Sequence, residues 1–332
     1  MTARESIKIL SDRMNEAIIG QEHVVNRFIM ALLADGNILV EGLPGLAKTR
    51  AVHTMADAID ATFSCIQFTP DLSPADVMGS ERVHEEDGKK SYHLHKGPIF
   101  GNIILADEIN RAPSRVQSAM LEAMEEHQVT IAGQTLKLPK LFIVLATQNP
   151  IEQEGTFPLS EAQKDRFFMH VKVDYVTMDS EYQMIQMLQK EKHHTKVEKE
   201  KISQEMVFAA REEVGKVKIS EEIGKYIVEL VFSTRYPMRY SKQLDVMIDV
   251  GVSPRGSLAL TQCAQVYAWM KGRDEVIVQD VHAVIHDVFR HRIIKSEHTR
   301  FSGIENDEII DIIVQQVPLP ESLRQQTSAK TS

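Results

Sequence analysis

Cysteine is scarce in this chain. Cys65 and Cys263 are the only two, far apart and without paired spacing, so neither a disulfide framework nor a zinc site is expected. Both read as small core residues. Long hydrophobic runs are also missing: no stretch approaches the ~20 apolar residues that span a bilayer, and Met1-Thr2-Ala3-Arg4-Glu5-Ser6 has no signal-like apolar segment. The expectation is a cytoplasmic protein without membrane insertion. Positive charge is in deficit, with a net charge of −9. That argues against broad coating of nucleic acid, although a local basic surface is compatible with the average. What remains is ordinary for a globular chain, with 43% hydrophobic and 26% charged residues. The 332 residues exceed one typical single-core domain and suit two.

One stretch organises the rest. The apolar run Ile38-Leu39-Val40 leads into Gly42-Leu43-Pro44-Gly45-Leu46-Ala47-Lys48-Thr49, followed by a helical pattern through Ala51, Val52, Met55 and Ala56. A strand, a glycine-rich turn and a helix opening on Lys-Thr form an arrangement that cradles phosphates. Backbone N–H groups point at the anion, the lysine reaches the outer phosphates, and the threonine hydroxyl coordinates Mg²⁺. The chain departs from G-x-x-x-x-G-K-[ST] at Ala47, which is tolerable only at negative φ.

Five apolar runs recur at 37–41, 62–68, 102–106, 141–146 and 169–173. Near-continuous rather than alternating, they suit strands covered on both faces, hence an α/β fold with a mostly parallel five-stranded sheet. Ligands would bind at the carboxyl ends of its strands. The third run ends in Asp107-Glu108, where the Asp can hold Mg²⁺ through water and the Glu can polarise an attacking water; the plain alternative is a cap for the helix near Pro113. The fourth leads to Gln148-Asn149-Pro150, and Asn149 either orients that water or serves as a turn device. Arg166, before the fifth run, is either a salt-bridging surface residue or an arginine supplied to a neighbouring subunit's nucleotide. Upstream, a helix over 4–17 and another through Val24 to Leu32 flank Ile18-Ile19-Gly20-Gln21. This is a capped helix pair or a segment whose Ile18 and Ile19 pack on adenine.

Two inserts interrupt the pattern. Asp71–Gly97 is longer than an ordinary connection; His84, His93 and His95 raise the idea of a metal, but their alternation favours an exposed hairpin. Gln128–Leu138 alternates about Ala132-Gly133, a β-hairpin signature. Residues 190–201 are dense in charges of both signs and mark the domain boundary. Helical patterns then recur at 203–214, 220–235, 255–271 and 279–290 without convincing sheet, giving a second, smaller, all-helical domain. Pro254 makes an ordinary helix start, so Arg255 is either an exposed helix-end residue or a γ-phosphate sensor. From about Pro318 the chain is a polar tail.

Together these residues resemble a MoxR-type AAA+ ATPase. The matching words are GLPGLAKT (42–49), ILADEINRAP (104–113), LEAMEEHQVT (121–130), ATQNPIEQEGTFPLSEAQKDRF (146–167) and VSPR (252–255), and the resemblance covers residues 5–318. Ala47 in place of Gly is similar to what the family commonly shows. The resemblance implies an AAA+ core over 1–190, a charged linker over 191–202 and a helical lid over 203–318, with ATP and Mg²⁺ as cofactors. Gly42, Pro44, Gly45, Leu46, Ala47, Lys48 and Thr49 then form the Walker A motif, with Ile19 beside the base. Asp107 and Glu108 form Walker B, with Thr49 and Asp107 on the metal. Asn149 becomes sensor 1, Arg166 the arginine finger and Arg255 sensor 2, acting within or between chains. Residues 72–97 look like the helix-2 insert and 128–139 like the pre-sensor hairpin. The family is similar in role to ring-forming, often hexameric, chaperones that mature or remodel other proteins, often with a partner bearing a von Willebrand factor A domain. A nucleotide-switched scaffold is the rival. A nucleic-acid motor is disfavoured, since Lys137 is the only basic residue of 128–139.

Overall fold

The computed structural model describes residues 1–42, 48–86, 89–149, 156–191 and 200–320. They divide into two compact units, one of residues 1–166 and 171–209, the other of residues 167–170 and those from Ala210 onward.

The first unit opens with α1 (Ala3–Ala17) and α2 (Glu22–Ala34). The start of α1 is set by a capping box: Thr2 Oγ1 accepts from the Glu5 N–H at 3.2 Å, and the Glu5 carboxylate accepts from the Thr2 N–H at 2.7 Å. Ile7, Leu10 and Met14 recur at helical spacing and are all buried. There follow β1 (Ile38–Gly42), α3 (Lys48–Ala58), β2 (Phe63–Gln67), α4 (Pro74–Met78), β3 (Gly79–Glu86), β4 (Lys89–Lys96) and β5 (Ile103–Asp107). Next come α5 (Ser114–Glu126), β6 (Gln128–Ile131), β7 (Gln134–Lys137), β8 (Ile143–Gln148), α6 (Glu161–Lys164), β9 (Met169–Val173, its first two residues counted with the second unit), α7 (Met178–Glu191) and α8 (Gln204–Val214, counted with the second unit from Ala210).

The five apolar runs become one sheet in the order β2-β5-β8-β1-β9, with β2–β5, β5–β8 and β8–β1 paired parallel. Ile103 to Ala106 and Ile143 to Ala146 are fully buried, as strands covered on both faces must be. The edge strand β2 differs. Its Cys65 is exposed, so only Cys263 is the core residue the sequence suggested. An apolar run alone does not reveal that one face of an edge strand stays open.

The insert at 71–97 is α4 followed by an antiparallel hairpin, β3–β4, in register from Gly79↔Lys96 to Glu86↔Lys89. The second hairpin, β6–β7, turns at Ala132 (φ 49°) and Gly133 (φ 79°), the positive dihedrals that match a tight turn to strand twist.

The second unit is helical. It contains α9 (Glu221–Arg235), α10 (Lys242–Met247), β10 (Ile248–Val250), α11 (Pro254–Met270), α12 (Val278–Phe289), β11 (Ile294–Lys295), α13 (Glu297–Phe301) and α14 (Asn306–Gln316). Leu230, Leu260, Val284, Ile285, Phe289 and Ile313 form its core. Asp280 is fully buried, accepts from the Arg273 guanidinium, and accepts from the Ile277 N–H at 2.9 Å to cap α12. One addition to the expected all-helical domain is the small antiparallel pair β10–β11. Strands of two and three residues carry no readable period. No described helix is long and apolar enough to cross a membrane.

Candidate active site

The parallel pairing brings the chemistry to one edge of the sheet. Gly42 ends β1, Gln148 ends β8, Asp107 ends β5 and Gln67 ends β2, all at carboxyl ends. β8 lies between β1 and β5, so Thr147 and Gln148, at the end of β8, stand between the end of β1 and the end of β5. Gly42 is a glycine for a packing reason: a Cβ there would meet the Val173 carbonyl oxygen at 2.8 Å. Lys48 and Thr49 open α3, whose N-terminus carries the unpaired N–H groups and positive dipole end that favour an anion. Pro44, Gly45, Leu46, Ala47 and the Lys48 side chain lie outside the described residues, as does Pro150.

Asp107 and Glu108 are tied together by a residue that the sequence did not single out. The buried Thr147 hydroxyl donates to Asp107 Oδ1 at 2.5 Å and accepts from the Glu108 N–H at 2.9 Å. Glu108 itself is left-handed (φ 57°, ψ 50°), a conformation that costs an L-residue about 1–2 kcal/mol and persists only where its surroundings impose it. Its carboxylate accepts from Gln67 Nε2 at 3.2 Å and from Arg111 at 3.0 Å. Cys65, on the same face of β2 as Gln67, has its thiol pKa raised by partial burial and by the Asp107 charge, which keeps it a poor nucleophile.

Asn149 is half-buried directly after β8, beside Gln148, whose amide donates to Glu41 at 2.5 Å across the β1–β8 register. Arg166 is exposed and pairs with Glu125 of α5 at 3.1 Å. Ile18 is buried in the core and Ile19 half-buried. Their segment is held by Gln21, which donates to the Asp174 carbonyl at 2.8 Å, and by Arg50, which donates to the Ala17 carbonyl at 3.0 Å and pairs with Glu191 at 2.5 Å. Neither Gln21 nor Arg50 has a sequence signal beyond lying near the motif. Arg255 is exposed in the first turn of α11, in the second unit.

Among the described residues no cluster of three or more His, Cys, Asp or Glu is placed to hold a metal by itself. The donors at this edge are the Thr49 hydroxyl, exposed at the start of α3, and the Asp107 carboxylate. Such a sparse, all-oxygen set fits Mg²⁺, which keeps waters and takes phosphate oxygens rather than a full protein cage. The hydrogen-bonded fixing of Asp107 by Thr147 gives one of those donors a set direction.

Residues 37–169 match the family model described as the ATPase family associated with various cellular activities, and residues 243–313 match an AAA lid domain. The chain is 40% identical over 305 residues to the Mycobacterium tuberculosis protein named chaperone MoxR1, covering 92% of this chain and 80% of that one. It is 29% identical to the Paracoccus denitrificans protein named MoxR, covering 85% and 87%. A crystal structure from Cytophaga hutchinsonii, of a protein named only provisionally as an ATPase, superposes with a TM-score of 0.89 at 40% identity and covers 96% of both chains. A parallel sheet with Asp107 ending the strand two places from β1, a helical second unit and this similarity converge: the chain belongs to the MoxR family of AAA+ ATPases.

Proposed function

We propose that this protein binds ATP with Mg²⁺ and hydrolyses it within a ring of its own copies, as a chaperone that remodels or matures partner proteins. The observation that carries the chemistry is the joint fixing of Asp107 and Glu108 by the Thr147 hydroxyl. Lys48 and the N-terminus of α3 hold the phosphates, while Thr49 and Asp107 hold the metal, which when bound would neutralise phosphate charge. Glu108 and Asn149 align the attacking water, and Glu108 takes its proton. Arg166 acts on the nucleotide of the neighbouring copy, where its charge stabilises that which develops on phosphoryl transfer. Arg255 senses the γ-phosphate, and Ile19 packs against the base. Most of this is positioning and electrostatics. The remodelled protein would be recognised through the two hairpin inserts or through a partner with a von Willebrand factor A domain.

A second reading is a nucleotide-switched scaffold with little turnover. The engagement of the Glu108 carboxylate by Gln67 and Arg111 favours it, because a base held in two hydrogen bonds must be released before it can work.

Glu108→Gln separates these readings from the start. The variant is expected to bind ATP like the wild type and to lose turnover by ~10²-fold or more, the usual contribution of a general base. Equal turnover in the two proteins would remove Glu108 from the role. A wild type that binds ATP in an assembled state and does not hydrolyse it would favour the switch.

A further inference from the structure

Arg166 is weakly tethered through its side chain. Its pair with Glu125 joins two groups each more than a third exposed, and such surface pairs contribute little. The backbone that follows is held far more firmly. Phe167–His170 belongs to the second unit and is gripped there by three consecutive residues after α12. Arg290 donates to the His170 carbonyl at 2.5 Å, His291 Nε2 donates to the Phe167 carbonyl at 3.0 Å, and Arg292 donates to the Phe167 carbonyl at 2.7 Å and the Phe168 carbonyl at 3.3 Å.

All three grips are built into the interior. His291 and Arg292 are 5% and 6% exposed. Burial, reinforced by the Arg292 charge, holds His291 neutral, and a carbonyl can only accept, so its proton sits on Nε2. Arg290 is fixed in turn by Asp307 at 2.7 Å and Asp287 at 3.1 Å. Arg292 has a second neighbour. Its side chain crosses Gly256, where an added Cβ would stand 3.0 Å from Arg292 Cδ. Gly256 directly follows Arg255, as Phe167 directly follows Arg166.

We propose that Arg292, with Arg290 and His291, is a positioning residue: within the second unit it clamps Phe167–His170, the chain directly after Arg166, against the start of α11, and so fixes the backbone from which Arg166 is presented. A buried guanidinium must satisfy its fork of donors, and here they are shared between the Val288 carbonyl of α12, at 2.6 Å, and the Phe167 and Phe168 carbonyls of the segment that follows Arg166. The proposal rests on the reading of Arg166 as acting on a neighbouring copy's nucleotide.

The test uses the full chain carrying Arg292→Lys, which keeps the charge and the stem beside Gly256 but lacks the planar fork that reaches the Phe167, Phe168 and Val288 carbonyls together, and in parallel Arg290→Lys, which keeps a charge for Asp287 and Asp307. Both are checked for folding by thermal melting and for binding of a fluorescent ATP analogue. ATPase rate is then read alone and after mixing with Lys48→Ala subunits. The expected result is folded protein, nucleotide affinity close to wild type, and turnover reduced by about 10²-fold, the scale of a misplacement near 1 Å. Mixing should restore activity, because Lys48→Ala subunits supply a correctly held Arg166 to the intact sites of the variant. Arg166→Ala mixed with Lys48→Ala is the control. Wild-type turnover in either folded variant would overturn the clamp, and so would a loss that mixing leaves unrelieved while the control recovers. If neither mixture recovers in assemblies shown to contain both subunits, it is the action of Arg166 on the neighbouring copy that fails.

Discussion

Thr147 shows how much one hydroxyl can carry. It is 1% exposed and bonds both the Asp107 carboxylate and the Glu108 backbone, so it fixes the direction of one acid and the unusual backbone of the next. Thr147→Val keeps the shape and removes the hydroxyl. A part-buried donor and acceptor then lose their partner, which costs about 1 kcal/mol. The expected outcome is an unfolding free energy lower by that amount, read from the urea midpoint at unchanged slope, and a fall in kcat that persists at temperatures where the variant is fully folded. Thr147→Ser, which restores the hydroxyl, should recover most of the rate. Wild-type kcat in folded Thr147→Val would show that the acids hold their geometry without it.

At the scale of elements, the β6–β7 hairpin has one residue at odds with its turn. Ala132 is exposed at φ 49°, where its Cβ is penalised, while Gly133 beside it is at φ 79° without that penalty. The flanking strands are otherwise consistent, with Thr130 and Thr135 hydroxyls 3.2 Å apart across the pair. Ala132→Gly removes the penalty and loses no packing, but gives the unfolded chain more freedom. The balance is a stabilisation of about 0.5–1 kcal/mol, readable as a higher denaturant midpoint at constant slope. A lower midpoint would mean that the alanine pays no such strain.

At the scale of the whole molecule, a buried neutral histidine makes stability depend on pH. Burial first, then the Arg292 charge, hold the His291 pKa well below its ordinary value in the folded chain. The unfolded chain takes up that proton near about pH 6.5 while the folded chain does not. Below that pH the unfolded state binds more protons, so stability falls on acidification, by up to about 1.4 kcal/mol per pH unit for this group. Above about pH 7 it adds no slope. His282 is shifted in the same direction, by burial first and then by His286, and adds to the effect. Urea unfolding at pH 7.5 and 5.5 should show a smaller loss for His291→Gln, which keeps a donor for the Phe167 carbonyl, than for the wild type. Equal losses would remove His291 as a source.

What could be read from the residues were features dictated by local chemistry. A strand covered on both faces must be Ile, Leu, Val or Phe almost throughout, so β5 and β8 announced themselves, and Asp107-Glu108 stood out because two carboxylates after such a run are rarely idle. Alternation about Ala132-Gly133 marked a hairpin for the same local reason. The insertion of β8 between β1 and β5, the open face of β2 that exposes Cys65, and the hydroxyl of Thr147 between two acids were decided by packing. The same holds for Arg290-His291-Arg292, which in sequence resembles a charged helix end and in the fold is a buried clamp on Phe167–His170. Periodicity records which face of an element is apolar; it carries no information about which distant carbonyl or carboxylate that element will meet, because that pairing is set only when the separate apolar faces close on one another.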